Sequence, residues 1–265
     1  MKVAAGLEIT FLGTGTSQGV PMIACDCAVC RSEDPRDSRL RTAARIRTPA
    51  VEFVIDTPPD FRTQALRENI RRIDAVLFTH AHTDHVMGFD DLRRYCETQD
   101  IEMPVYAAPH VLADLRRIFQ FAFDGSSGGI RNYIRTRVHE AAGPFTLGDL
   151  EVAPVSLPHG RFNTTGYVFS QLGRPLLAYF TDCNAVPAVA TEAARGVEVL
   201  VIDALRHEPH PTHMSVREAI AAAAAMGAKR TFFTHICHDL GHAATERELP
   251  ANVRLAFDGL RVQTP

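Results

Sequence analysis

The apolar runs of this chain share one kind of ending. "VEFVI" leads into Asp56, "AVLFT" into His80, "LAYFT" into Asp182, "VLVI" into Asp203 and "TFFT" into His235, while His159 follows "EVAPVSLP". Short runs of β-branched and aromatic residues read as strands. A single polar residue after a strand is a turn former. Six such endings predict strand ends converging on one edge, where loops carry function.

Strands are predicted over 7–12, 50–55, 75–79, 150–157, 166–170, 175–181, 197–203, 230–234 and 259–263. Helices are predicted over 60–69, 109–121 and 185–195. A further helix runs to about 226, opened by Ser215 and Glu218 as an S-x-x-E capping box. The Gly/Ser cluster at 123–133 reads as a mobile loop. Strands cluster between helices in both halves, which implies two sheets with helices outside. With 265 residues, 46% hydrophobic and 22% charged, the chain can bury one large core. A net charge of −3 gives no reason to expect nucleic acid or an anionic membrane as partner. Glu8 interrupts the first apolar run, so no signal peptide is expected, and "AIAAAAAMGA" is too short to span a bilayer. The expected address is cytoplasmic, where six cysteines argue against disulfides.

"THAHTDHVMG" carries the densest chemistry. His80 and His82 are two apart, so an extended loop presents both to one ion. Asp84 and His85 project differently and reach a second. Imidazole with carboxylate suits zinc, manganese or iron. Two such ions share a hydroxide and clamp a phosphoryl or acyl oxygen. The bland alternative is a His-rich surface loop. Near the C-terminal end, "THICHDLGH" places His235 and His238 three apart, so within a strand they face opposite ways and serve different sites.

The H-x-H-x-D-H pattern resembles the metal motif of the metallo-β-lactamase superfamily, and the later ligand positions follow in order. The resemblance implies a four-layer αββα sandwich as a single domain over 1–265. It implies His80, His82 and His159 on one ion, Asp84, His85 and His235 on the other, and Asp182 touching both. Asp56 resembles the early aspartate that orients the metal loop by hydrogen bonding.

"CDCAVC" brings Cys25, Cys27 and Cys30 within six residues, inside an N-terminal loop at about 13–48. Three thiolates need one further ligand for tetrahedral zinc, and His238 is free to supply it. Such a closed structural zinc contributes to folding and does no chemistry. "GTGTSQGVPMIACDCAVC" together with "THICH" resembles the PhnP branch of the superfamily. That resemblance implies a cyclic phosphodiesterase with two catalytic divalent metals (Zn or Mn) and one structural Zn. Substrates implied are a 5-phosphoribosyl 1,2-cyclic phosphate or 2′,3′-cyclic nucleotides. Cys stands where the family often has Ser in "THICH", and "THMS" differs from some relatives, which leaves the substrate open.

His213 lies two residues before the Ser215 cap, where a helix N-terminus attracts phosphate. It stands 22 positions before His235, as in the PhnP-like pattern, and would protonate the leaving oxygen. His207 and His210 are expected in solvent, Cys237 in the core, and His242 without a catalytic role. Cys96 and Cys183 have no assigned partner, packing being the first expectation for Cys183 beside Asp182. The six arginines of 31–47 supply either a phosphate contact or a solvated loop. "DDLRRY" (90–95) offers at most a rim contact.

The reading is a binuclear hydrolase attacking a small phosphodiester through a metal-bridging hydroxide, with His213 as general acid, Asp182 positioning the bridge and Asp84 among the catalytic ligands. Its rivals are a tRNA 3′-processing endonuclease, a thioesterase or lactonase of the same superfamily, and a zinc-stabilised binding protein. The nuclease needs an RNA-binding arm between His159 and Asp182, where only 22 residues intervene. Homodimerisation is left open.

Overall fold

The computed structural model describes residues 6–123 and 134–265, so the predicted loop at 123–133 lies, apart from Phe123, outside the described residues. One seven-stranded sheet contains β1 (Glu8–Gly13), β2 (Ala43–Arg47), β3 (Glu52–Ile55), β4 (Ala75–Leu77), β5 (Met103–Ala107) and β6 (Thr136–Glu140). The other contains β7 (Phe145–Leu147), β8 (Leu150–His159), β9 (Phe162–Gln171), β10 (Arg174–Phe180), β11 (Val199–Asp203), β12 (Arg230–Thr234) and β13 (Val253–Leu255). The last strand, β14 (Arg261–Gln263), returns to the first sheet beside β1.

The two sheets repeat one pattern. From β14 to β3 neighbours are antiparallel, and from β3 to β6 they are parallel. From β7 to β10 neighbours are antiparallel, and from β10 to β13 parallel. The central parallel strands β4 and β11 are buried on both faces, which explains their unbroken apolar runs. In β11, Val199 and Val201 face the other sheet, while Leu200 and Ile202 face the outer helices. In β3 and β4, Phe53, Ile55 and Leu77 face inward, while Val54 and Val76 meet the opposite outer layer. The architecture is an αββα sandwich with a shared middle core and two outer ones.

Helices at Phe61–Arg67, Arg93–Gln99 and Pro109–Ile118 cover the first sheet, and those at Ala188–Ala193 and Val216–Met226 cover the second. The Ser215 capping box forms as predicted, with Ser215 Oγ accepting from Glu218 N and Glu218 Oε2 accepting from Ser215 N. Several strands escaped the sequence reading. β2 was hidden because its alternating arginines look like surface. In fact Ala44 and Ile46 enter the middle core, while Arg45 pairs with Glu52 across the sheet at 2.7 Å. β6 was hidden because it is an edge strand with a polar pattern, "TRVHE".

This topology explains the six polar endings. β3 and β4 run parallel, as do β10, β11 and β12; β8 shares the direction of β10 because both oppose β9. Carboxyl ends of parallel strands gather on one edge, where open α/β sheets bind ligands. The loop after β1 closes that edge, since Ile236 N donates to Thr14 O and Thr16 N to Ile236 O. Gly13 permits this closure, because a Cβ there would strike the Arg41 carbonyl.

Candidate functional site

The structure brings the predicted ligands together in two adjoining groups. Ligand atoms of His80, His82 and His159 lie within 4.8 Å of one another, as do those of Asp84, His85, Asp182 and His235. Asp182 sits between the groups. Its Oδ2 is 3.2 Å from His235 Nε2, 3.3 Å from His85 Nε2 and 3.8 Å from His80 Nε2. His82 is the N-cap residue of a short helix, Thr83–Val86, whose first turn carries Asp84 and whose last carries His85.

Three of the buried rings, those of His80, His85 and His159, are held from behind. Asp56 accepts from Thr79 N at 2.9 Å, from Thr79 Oγ1 at 2.8 Å and from His85 Nδ1 at 2.7 Å. Since Thr79 Oγ1 donates to Asp56, it accepts from His80 Nδ1 at 3.0 Å. His159 Nδ1 donates to the Thr212 carbonyl at 2.8 Å. These bonds fix the tautomers and leave the Nε2 lone pairs of His80, His85 and His159 for the cleft. Asp56 and His235 both end their strands with left-handed backbone, φ 63° and 58°. Such conformations cost of order 1–3 kcal/mol outside glycine, and they cluster at functional sites.

The electrostatics follow from crowding. Burial and the neighbouring His85 push His80 well below its ordinary range, so its imidazole is neutral. Burial opposes the Asp84 carboxylate, yet His85 and His235 hold it well below the usual range. Nε2 of His80, of His85 and of His235 is buried without a hydrogen-bond partner. An unsatisfied buried polar atom costs about 1–3 kcal/mol, so three together require compensation. Imidazole and carboxylate donors turned inward on one point are what divalent cations supply with a partner. The donor set therefore fits two cations.

His213 stands at the rim. Its ring is 4.5 Å from that of His235 and 4.8 Å from that of His159, centroid to centroid. Its Nδ1 meets Asp203 Oδ2 at 2.6 Å. Burial alone would depress the imidazole, but the Asp203 carboxylate overrides it and brings the pKa to about 9. Asp203 is fully buried and also accepts from Cys183 N at 3.0 Å. The sequence reading missed this partner, although Asp203 was among the six strand endings. Five of the ligand candidates (His82, Asp84, His159, Asp182 and His235) and His213 line a cleft of about 550 Å³, to which Ser17, Arg161, Phe162 and Thr212 also contribute.

A second cluster lies outside the cleft. His238 Nδ1 is 3.2 Å from Cys25 Sγ, 3.4 Å from Cys27 Sγ and 3.6 Å from Cys30 Sγ. Chain separations above 200 residues make this a tie between the N-terminal loop and the end of β12. The Cys30 N–H, outweighing desolvation, brings the Cys27 thiol down to about 6, while burial pushes Cys30 up to about 11. Three sulfurs and one imidazole at these distances suit a tetrahedral cation.

The remaining candidates have ordinary places. Cys96, Cys183 and Cys237 are buried, and Cys183 Sγ packs on Met214 Sδ at 4.0 Å. His207 is exposed, and His210 Nδ1 contacts Thr212 Oγ1 at 3.1 Å. His242 is buried against the Arg39 guanidinium, its Nδ1 accepting at 3.1 Å. All six arginines of 31–47 are engaged within the chain. Arg31, Arg36, Arg41, Arg45 and Arg47 pair with Asp26, Asp34, Asp60, Glu52 and Glu8. Arg39 is buried and donates to Thr14 Oγ1 and the Ala256 carbonyl. None of the six lines the cleft. In "DDLRRY", Arg93 and Arg94 pair with Asp90 and Glu97.

Among the described residues, no helix is long and apolar enough to cross a membrane. The family model of the beta-lactamase superfamily domain matches residues 52–236. A crystal structure described as a new diphosphatase from the PhnP family is 40% identical, with a TM-score of 0.89 over 97% of both chains. Zn(2+)-bound PqqB from Methylobacterium extorquens shares the fold, with a TM-score of 0.78 at 21% identity over 96% of this chain and 99% of that one. An octanoyltransferase from Porphyromonas gingivalis is 36% identical over 96% of this chain, which spans about half (51%) of that relative's length. With the fold, both residue clusters and these similarities in agreement, the chain belongs to the metallo-β-lactamase superfamily and, within it, to the PhnP family.

Proposed function

We propose that this chain is a metal-dependent phosphodiesterase acting on small cyclic phosphates, either 5-phosphoribosyl 1,2-cyclic phosphate or 2′,3′-cyclic nucleotides. The observation that carries this reading is the Asp203–His213 pair, 2.6 Å apart, at the rim of a cleft floored by two ligand groups. Thioester hydrolysis expels a thiolate, which has less need of a protonated imidazole beside the reacting centre than the alkoxide expelled from phosphorus.

His80, His82 and His159 would hold one cation, and Asp84, His85 and His235 the other, with Asp182 shared. When bound, two divalent cations supply Lewis acidity toward phosphoryl oxygens and activate water near neutral pH. Asp182 and Asp84 orient that centre, and Asp56 locks the rings through Thr79 and His85. Asp203 engages His213 Nδ1, so the Nε2 proton is available to the leaving oxygen. The buried carboxylate stabilises the imidazolium before the transfer and holds the ring's orientation through it. Cys25, Cys27, Cys30 and His238 would hold a structural zinc, which ties the chain's two ends without entering the reaction.

One relative is described as a diphosphatase, which supports phosphorus as the electrophile. The octanoyltransferase name belongs to a protein about twice as long as the matched region, so it carries little weight for this site. A tRNA-processing role fits poorly, since residues 160–181 are taken up by β9, β10 and two tight turns. The test is release of the ring-opened monoester from 2′,3′-cyclic AMP by metal-loaded protein, wild type against His213→Ala. Turnover falling about 10²–10⁴-fold with metal content retained supports the reading. Metal-loaded wild-type protein that leaves every cyclic phosphate intact would refute it.

A further inference from the structure

We infer that Arg161 and Phe162 form the substrate-recognition element, selecting nucleotides that carry a second phosphate over base-free sugar phosphates. This rests on the phosphodiesterase reading for the location of the scissile phosphorus, and of that reading's two substrate classes it favours the nucleotides over the base-free ribosyl phosphate.

The two residues sit at the tip of the β8–β9 hairpin. His159 pairs in register with Phe162, so Gly160 and Arg161 make a two-residue turn, with Gly160 at φ 65°. A Cβ on Gly160 would lie 2.6 Å from Thr212 Cγ2, so the tip packs closely against the loop before His213. The hairpin is thus fixed on one side by a metal-ligand candidate and on the other by the 210–213 segment.

From this rigid base Phe162 projects with 67% of its surface exposed. Exposed apolar side chains are ordinary taken singly. Among the described large ones, Phe162 is the one that lines the cleft, and its ring stands edge-on to His82 with centroids 6.2 Å apart. A preorganised, exposed aromatic ring beside a phosphoryl site is a platform for a planar base. Arg161, next to it, is exposed, lines the same cleft and has no ion-pair partner among the described residues. Arg31, Arg36, Arg41, Arg45 and Arg47 all have carboxylate partners. A free guanidinium binds phosphate bidentately. At about 550 Å³ the cleft lies within the range that takes a drug-sized ligand, far more than a bare phosphate group needs. One phosphate of a nucleoside diphosphate at the metal groups would leave the other for Arg161 and the base for Phe162.

The test is calorimetric binding of ADP, AMP and ribose 5-phosphate to metal-loaded wild type, Phe162→Leu, Phe162→Tyr and Arg161→Gln. Wild type should bind ADP more tightly than AMP, and AMP more tightly than ribose 5-phosphate. Phe162→Leu should shrink the AMP advantage over ribose 5-phosphate by roughly ten-fold or more, and Phe162→Tyr should restore it. Arg161→Gln should shrink the ADP advantage over AMP. Both positions are exposed, so folding is not at stake. Affinities indifferent to the base, or both variants weakening all three ligands alike, would overturn the inference. So would a short RNA that binds far more tightly than ADP, which would make the hairpin part of a nucleic-acid surface. The two readings separate cleanly: base-dependent binding with no cleavage of any cyclic phosphate sinks the phosphodiesterase alone. Cleavage of 2′,3′-cyclic AMP with base-blind binding sinks the hairpin inference alone.

Discussion

The histidine–carboxylate cluster gathers seven ligand residues and the Cys3His cluster four, and the two are built in opposite ways. The first is sunk at the strand ends, and most of its rings are braced from behind by Asp56, Thr79 or the Thr212 carbonyl. The Nε2 atoms of His80, His85 and His235 are buried and unsatisfied. The second is half-buried, has its sulfurs within 3.6 Å of one imidazole nitrogen, and joins loops more than 200 residues apart. A scaffold that exists before the cation arrives suits chemistry. A knot that closes only around its cation suits folding.

The sharpest way to break this contrast is to remove a ligand from each cluster. His82→Ala should abolish cyclic phosphate hydrolysis by more than the roughly 10–100-fold that outer partners of ligands carry, with loss of bound metal by elemental analysis. His82 is exposed, so the melting temperature should fall less than in His238→Ala, by no more than loss of the metal itself accounts for. His238→Ala should do the reverse, losing about one zinc and much thermal stability while the folded fraction keeps its turnover. Equal loss of activity and stability in both variants would erase the distinction.

A subtler comparison lies within the cleft. Asp203→Asn should lower turnover of 2′,3′-cyclic AMP by about 10²-fold or more, and less for a substrate expelling p-nitrophenolate, which needs no proton. Metal content should stay unchanged. Asp56→Asn should instead weaken metal retention, by about 10–100-fold, because it removes the acceptor that orients His85 and Thr79.

The smallest effect tests the Arg39–His242 contact that supports the N-terminal loop. Burial, then the Arg39 and Arg36 charges, lower the His242 pKa to about 4. Between the unfolded value of about 6.5 and about 4, the unfolded chain binds the extra proton, so stability falls as pH drops through that window. The slope contributed is about 1.4 kcal/mol per pH unit at most. Chemical denaturation at pH 7 and pH 5 should show a smaller pH-dependent loss in His242→Gln than in wild type. An identical loss would exclude His242 as its source.

Much of the site was legible because its residues are short-range. His80, His82, Asp84 and His85 fall within one loop and one helical turn, so spacing alone suggests which can share an ion. Asp56, His159, Asp182 and His235 were visible as polar residues after apolar strands. The same pattern marked Asp203, but nothing local tells a ligand from the partner of His213. That difference depends on a 2.6 Å contact across a loop. The arginines of 31–47 stayed open between a phosphate contact and a solvated loop for the matching reason. Their partners include Glu8, Glu52, Asp60 and the Ala256 carbonyl, which sequence distance hides. β2 was lost with them, since a pairing partner, not a propensity, makes "AARIR" a strand.

By itself the sequence determined the layers and the ligand types. Alternation and apolar runs depend only on the two-residue period of a strand and on burial of both faces. Ligand identity depends only on side-chain chemistry. What tertiary structure alone decided was direction: which lone pair points into the cleft, which carboxylate orients which ring, and which of twelve histidines stand at the rim. Those are set by hydrogen bonds between residues far apart in the chain, and such bonds exist only once the two sheets have closed on each other.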